Sequence, residues 1–170
     1  MNYYDRNKIW YNGGEIDWNK FYGYHLNERG NFSTVEEIKE ITFATGCLML
    51  IRKEVFETVG LLPEEYFMYY EDVDFCVMVK NNGYKIIYNS KSKIYHKVSA
   101  SSGEEESPFA IEWNTRNRMK FYKKYKDLGS NKIKGVFPIF FYTTRLLKCT
   151  KYLKEKRIDK IKSLRRGVIG

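Results

Sequence analysis

Three acids within four positions, Glu71, Asp72 and Asp74, separate the run Phe67-Met68-Tyr69-Tyr70 from a helically spaced apolar set, Phe75, Cys76 and Val79. Gly83 follows as a stop. This pattern predicts a helix of roughly three turns that opens at the acids and is closed by a left-handed glycine. Acids in a first turn are favoured by the helix macrodipole, which accounts for them without any chemistry. The tyrosines before them give a second reading. Large, partly polar rings beside carboxylates are the surroundings in which a general base is tuned.

The flanking stretches are punctuated by glycine. Residues 9–32 are aromatic and broken at Gly13-Gly14, Gly23 and Gly30, so loops with short strands are expected, either a cleft rim or a plain ordered loop. Ser33 and Thr34 precede Glu36 and Glu37, a capping pattern that predicts a turn or one helical turn. Ile41 to Ile51 alternates around Gly46 and predicts a strand, in which the glycine is either a bulge or a point of close approach. Lys53 to Val59 predicts a short helix ended by Gly60, with Val55, Phe56 and Val59 inward. Tyr84–Tyr88 and Lys93–Lys97 predict two short strands, the second ending near His96. Val98 to Pro108 has the composition of a loop, a linker or a mobile lid, and helical periodicity returns from Phe109 to Tyr125.

Taken in order, Thr45-Gly46-Cys47, Val59-Gly60, Tyr70-Glu71-Asp72-Val73-Asp74, Gly83-Tyr84, Tyr95-His96 and Arg116-Asn117 form a series. It resembles the C-terminal half of family 2 glycosyltransferases, the inverting GT-A enzymes that use nucleotide sugars, and rhamnosyltransferase-like members above all. The likeness runs over residues 10–125. It implies an α/β fold, a partial, Rossmann-like GT-A domain over residues 1–130 that lacks its N-terminal nucleotide-binding half, followed by a basic helical tail over 131–170. It implies Asp72 as catalytic base, with Glu71, Asp74, Gly46 and Trp18 on the acceptor side. Arg116, Asn117 and His96 would face the donor diphosphate, and His96 would also help hold a divalent metal, Mg or Mn. Asp72-Val73-Asp74 spells the D-x-D by which GT-A enzymes hold metal, but the family's motif lies upstream of the Thr-Gly-Cys segment and would fall before Met1. Residues 1–40 offer no other such motif and no phosphate-binding glycine loop. Two departures are visible: no proline joins the strands at Asn89–Ser92, and Trp113 stands where the family has tyrosine.

Charge divides the chain. From Lys120 onward 16 lysines and arginines face 3 acids, a net +13, while residues 1–119 carry 14 against 18, a net −4. A basic tail on a mildly acidic body speaks for surface binding. Val136, Phe137, Ile139, Phe140 and Phe141 open the tail, and Leu146, Leu147, Leu153, Ile158, Ile161 and Leu164 continue it among lysines and arginines. Such a segment can lie on an anionic membrane, or pack on a missing half or a partner. Pro138 would stand at a helix start or divide the tail in two.

Three isolated cysteines, Cys47, Cys76 and Cys149, argue for a reducing compartment and against structural zinc. The first residues lack a charged start and apolar run of the signal-peptide kind, and the longest apolar run, Val136 to Tyr142, is too short to span a bilayer. The resemblance therefore implies a cytoplasmic protein peripheral on the inner face of a bacterial membrane. Its partners would be a nucleoside-diphosphate sugar, a glycan or polyisoprenyl-linked acceptor, and a second copy of the chain through apolar surface left uncovered. Two other classes are weighed. A non-catalytic interaction module would show no sugar-nucleotide turnover. A nucleic-acid binder would use the tail and the 15 tyrosines, but its aromatics crowd the acidic body, so no nucleic-acid partner is expected.

Overall fold

The structure is a computed structural model that describes residues 1–3, 8–26, 28, 37–97, 106–129 and 135–170. It is mixed α/β. In chain order the described elements are β1 (Asn2–Tyr3), β2 (Gly14–Asp17), β3 (Tyr22–His25), β4 (Ile38–Ile41), α1 (Lys53–Val59), α2 (Glu71–Asn81), β5 (Ile86–Asn89), β6 (Tyr95–His96), α3 (Pro108–Tyr125), α4 (Val136–Lys154) and α5 (Ile158–Ile169). They belong to two compact units. The first comprises Met1–Asp17, Tyr22–Phe67 and Glu71–Val98, and the second Trp18–Phe21, Met68–Tyr70 and Ser99–Gly170. The capping pattern at Ser33-Thr34 and most of the loop expected from Val98 to Pro108 lie outside the described residues.

The first unit is built of two-stranded pieces. β2 and β3 form an antiparallel hairpin, β4 and β5 pair antiparallel from Ile38↔Asn89 to Ile41↔Ile86, and β1 runs parallel to β6. Phe43 lies across the hairpin, where a Cβ at Gly14 would stand 2.7 Å from its ring and 2.8 Å from its carbonyl oxygen. The glycine is there because nothing larger fits. Val55, Phe75 and Val79 form the core between α1 and α2, with Ile51, Phe56, Val59, Leu62, Tyr84 and Ile86 packed around it. Gly83 closes α2 at φ +81°: its N–H donates to the Lys80 carbonyl (3.0 Å) while the Tyr84 N–H donates to Val79 (3.2 Å), a Schellman cap.

One expected strand is corrected. The ladder ends at Ile41, Phe43 makes a single bridge to Gly14, and residues 44–52 are not strand. The Leu48 N–H turns back to the Thr45 carbonyl (3.3 Å) and the Gly46 N–H is committed to a side chain, so neither is free for a ladder. Leu48 and Leu50 are left exposed.

The second unit is helical. Ser107 Oγ accepts from the Ala110 N–H (3.2 Å) and Pro108 opens α3, a capped start. Pro138 is the third residue of α4, where its missing N–H removes no helix bond, and the tail divides instead at Glu155–Arg157, with Lys156 at φ +56°. α3 and α5 approach closely at Gly167, where a Cβ would lie 2.5 Å from the Glu112 carbonyl oxygen and 2.8 Å from Thr115 Cβ. Ile111, Tyr152 and Leu164 fill one core, and Phe21, Phe121, Tyr122 and Phe137 an aromatic one. Among the described residues no helix is long and apolar enough to cross a membrane.

Candidate active site

The chemistry of the first unit gathers at the mouth of α2. Asp72 and Cys76 are one turn apart on this helix and share a face, and both grip the segment after Phe43. Cys76 Sγ takes the Ala44 N–H at 3.3 Å, and Asp72 Oδ2 takes the Gly46 N–H at 2.9 Å. Asp72 Oδ1 accepts from the Val73 N–H at 2.8 Å. The carboxylate is thus fixed by two backbone donors and is half-buried. Burial, helped by the charge of Glu71, raises its pKa to about 6, against the opposing pull of the Gly46 N–H. Glu71 is also raised by burial, and its Oε2 is a buried oxygen without a hydrogen-bond partner among the described residues. A Cβ at Gly46 would lie 3.5 Å from Asp72 Cβ, an ordinary contact, so the exposed Gly46 is fitted to this side chain by its N–H rather than by lack of space.

Asp74, the third acid, is 0% exposed. It belongs to the acidic first turn of α2.

His96 ends β6 beside Tyr3 of β1. Its Nδ1 lies 3.2 Å from Cys47 Sγ, and its ring centroid is 4.4 Å from that of Trp10. Burial lowers the His96 pKa and raises that of the Cys47 thiol, so both are neutral near pH 7. Among the described residues no three His, Cys, Asp or Glu side chains come close enough to hold a metal. A thiol–imidazole pair also suits softer ions than Mg or Mn. The described residues therefore do not by themselves complete a three-ligand metal site, and no chemistry is derived through one. His25, left unassigned by the sequence, is boxed by Trp10, Tyr11 and Phe43, with Nδ1 3.0 Å from the Trp10 carbonyl.

The remaining residues of interest belong to the second unit. Asn117 is 1% exposed, and its Nδ2 donates to the carbonyls of Met68 (2.8 Å) and Tyr69 (2.9 Å). These bonds hold a strained backbone: Tyr69 and Tyr70 have φ of +64° and +76°, each costing on the order of 1–2 kcal/mol for a residue with a side chain. Tyr70 adds a bond from its hydroxyl to the Phe21 carbonyl, 3.2 Å. The next residues in the chain are Glu71 and Asp72. Asn117 thus fixes the Met68–Tyr70 backbone within its own unit. Sequence pattern could not have shown this, because the bonded carbonyls are 48 and 49 residues away.

Arg116 pairs with Glu112 at 3.3 Å and lies 4.7 Å from the Trp113 ring centre, in an open groove of about 450 Å³ with Lys162, Arg165 and Arg166. Trp18 stacks on Phe121 (centroids 6.0 Å, planes 18° apart) and meets Phe21 and Tyr125 edge-on.

Comparison with known proteins gives partial likenesses. The chain is 29% identical over 130 residues to the low-salt glycan biosynthesis hexosyltransferase Agl10 of Haloferax volcanii, 73% of this chain and 40% of that protein. It is 30% identical over 67 residues to an N-acetylglucosaminyl-diphospho-decaprenol L-rhamnosyltransferase of Mycobacterium tuberculosis, 39% of this chain and 22% of the other. An uncharacterized protein of Sinorhizobium fredii, y4gI, is 31% identical over 80 residues, 46% of this chain and 9% of that one. The chain thus spans less than half the length of each relative. No family model and no solved structure matches it. The likeness to two named transferases supports a glycosyltransferase family.

Proposed function

We propose that this chain carries the acceptor side of an inverting sugar transfer, with Asp72 as the general base. The observation that carries the reading is the Asp72 carboxylate: two backbone N–H groups fix it, and burial brings it to about 6, so near pH 7 it is ionised yet still basic enough to take a proton. In the reaction an acceptor hydroxyl gives its proton to Asp72 as its oxygen bonds to the anomeric carbon. The bond from that carbon to the diphosphate oxygen breaks, and the electron pair leaves with the nucleoside diphosphate. One displacement without a covalent intermediate inverts the anomeric centre. Glu71, with an unpartnered oxygen in the next position, would accept a hydrogen bond from a neighbouring sugar hydroxyl.

The relatives' names support a transferred sugar and a glycan or lipid-linked acceptor, and the nucleotide sugar as donor follows the family resemblance. The tail supports a lipid-linked one. Ile139, Tyr142, Leu146 and Leu153 are exposed on α4 among Lys148, Lys151 and Lys154, an apolar stripe with cations beside it that fits the surface of an anionic membrane, on the inner face of the bacterial cell. The reading is tested by product stereochemistry. An enzyme carrying this chain, given a sugar nucleotide and a lipid-diphosphate sugar, should release nucleoside diphosphate and form a product of inverted configuration by NMR. A product of retained configuration would refute the single-base mechanism.

A further inference from the structure

Within the second unit, two guanidinium groups stand on one aromatic floor. Arg145 Cζ lies 3.9 Å from the ring centre of Phe141, and Arg118 Cζ lies 5.7 and 5.8 Å from those of Phe137 and Phe140. The three rings are contiguous, Phe137 being 5.9 Å from Phe141 and 6.5 Å from Phe140. Arg118 uses its Nε on the Lys20 carbonyl, 2.8 Å away. Arg145 gives one Nη to Thr144 Oγ1 (3.0 Å), while among the described residues its buried Nε has no hydrogen-bond partner and no carboxylate pairs with it.

We infer that Arg118 and Arg145 form a binding site for a phosphate or diphosphate group. Two like charges on an apolar floor repel, and a buried N–H without an acceptor costs about 1–3 kcal/mol, so the arrangement is unfavourable as it stands. Burial and the charge of Arg118 both press the Arg145 pKa down, to about 10, against the opposing effect of Tyr70. An oxyanion beside the two groups reverses the costs at Arg145: it neutralises that guanidinium, accepts from the orphan Nε, and gains the forked geometry that guanidinium offers to phosphate. Lysine would not serve as well, since its point charge lacks the planar fork that stacks on Phe141. The inference goes beyond the transfer reading and stands without it, because it concerns binding alone. The phosphate could come from a free nucleotide or from a lipid headgroup, and the chemistry at the two arginines is the same.

The test is calorimetric titration of the chain with inorganic pyrophosphate, with uridine diphosphate and phosphatidylglycerol vesicles as parallel arms. Pyrophosphate should bind saturably, and Arg145→Gln and Arg118→Gln should each weaken it by about tenfold or more, whereas Lys123→Gln should not. Tighter binding of uridine diphosphate than of pyrophosphate assigns the site to a nucleotide. Vesicle binding that pyrophosphate competes away assigns it to a lipid. Should Arg145→Gln fail to fold, the intact chain decides by NMR, since the Arg145 Nε–H resonance should move on adding pyrophosphate. Absence of saturable pyrophosphate binding, a static Nε–H resonance, or folded variants that bind as the parent does would each overturn the inference.

Discussion

Replacing Asp72 with Asn should make the fold more stable and the enzyme nearly inactive, and both effects come from one carboxylate. Its pKa rises from 3.8 to about 6 in the fold. Two units correspond to about 3 kcal/mol between the protonation states. Because the folded value is the higher, the protonated form stabilises the fold; that contribution is complete below about pH 4 and is lost as pH rises through about 6. At pH 7.5 the ionised side chain therefore costs about 3 kcal/mol, which Asn removes. The amide returns about 1 kcal/mol of this, because its NH2 must face one of two backbone donors, Gly46 or Val73, that now meet oxygens. The net gain of about 2 kcal/mol should raise Tm by roughly 4–8 °C at pH 7.5 and vanish by pH 4. Transfer should fall by about two to four decades, roughly 3–5 kcal/mol on the barrier. In the parent, kcat/KM should climb about tenfold per pH unit up to about 6 and then level off. Thermal melts at the two pH values and initial rates of sugar transfer are the assays. A Tm difference that does not depend on pH would refute the burial argument. Near-normal transfer would remove Asp72 as the base and leave Glu71 as the first candidate.

Asn117→Ala should cost about 2–3 kcal/mol through two lost bonds to Met68 and Tyr69, and should lower kcat more than it changes KM, as kinetics alongside urea unfolding would show. Gly167→Ala should destabilise by about 1–3 kcal/mol, because its methyl meets the Glu112 carbonyl, while Gly135→Ala, with no neighbour within 4 Å among the described residues, should be near neutral in the same melts. Leu146→Asp on the exposed stripe of α4 should reduce co-sedimentation with anionic vesicles, which itself should weaken with salt. A chain that ignores such vesicles at low salt would assign the stripe to a protein partner.

The parts of the fold legible in the sequence are those fixed by local chemistry. The helix from Glu71 and its glycine cap follow from acids, spacing and Gly83, α1 follows from Gly60 in the same way, and α3 from the periodicity between Phe109 and Tyr125. The strand expected through Gly46 was misplaced because alternation cannot reveal that an N–H is claimed by a carboxylate 26 residues away. Asp72 stood out by its place in an ordered series of motifs, whereas its raised pKa depends on burial that no motif encodes. The contacts of Asn117 and Trp18 were illegible for a similar reason: the carbonyls and rings that engage them are brought there by the tertiary fold. Arg145 drew no notice in a tail full of cations, since only the structure separates the one stacked on Phe141 from those in solvent.

The way the chain is shared between the two units has a consequence for how they can be separated. It passes from one unit to the other after Asp17, Phe21, Phe67, Tyr70 and Val98. No single cut releases either unit whole, and a fragment ending at Val98 would take Trp18–Phe21 and Met68–Tyr70 away from the helices they belong to. Neither unit could be shuffled into another protein as a cassette, since each borrows short segments from the sequence span of the other. A protease that nicks the polypeptide once should leave its pieces associated under native conditions and part them only in denaturant.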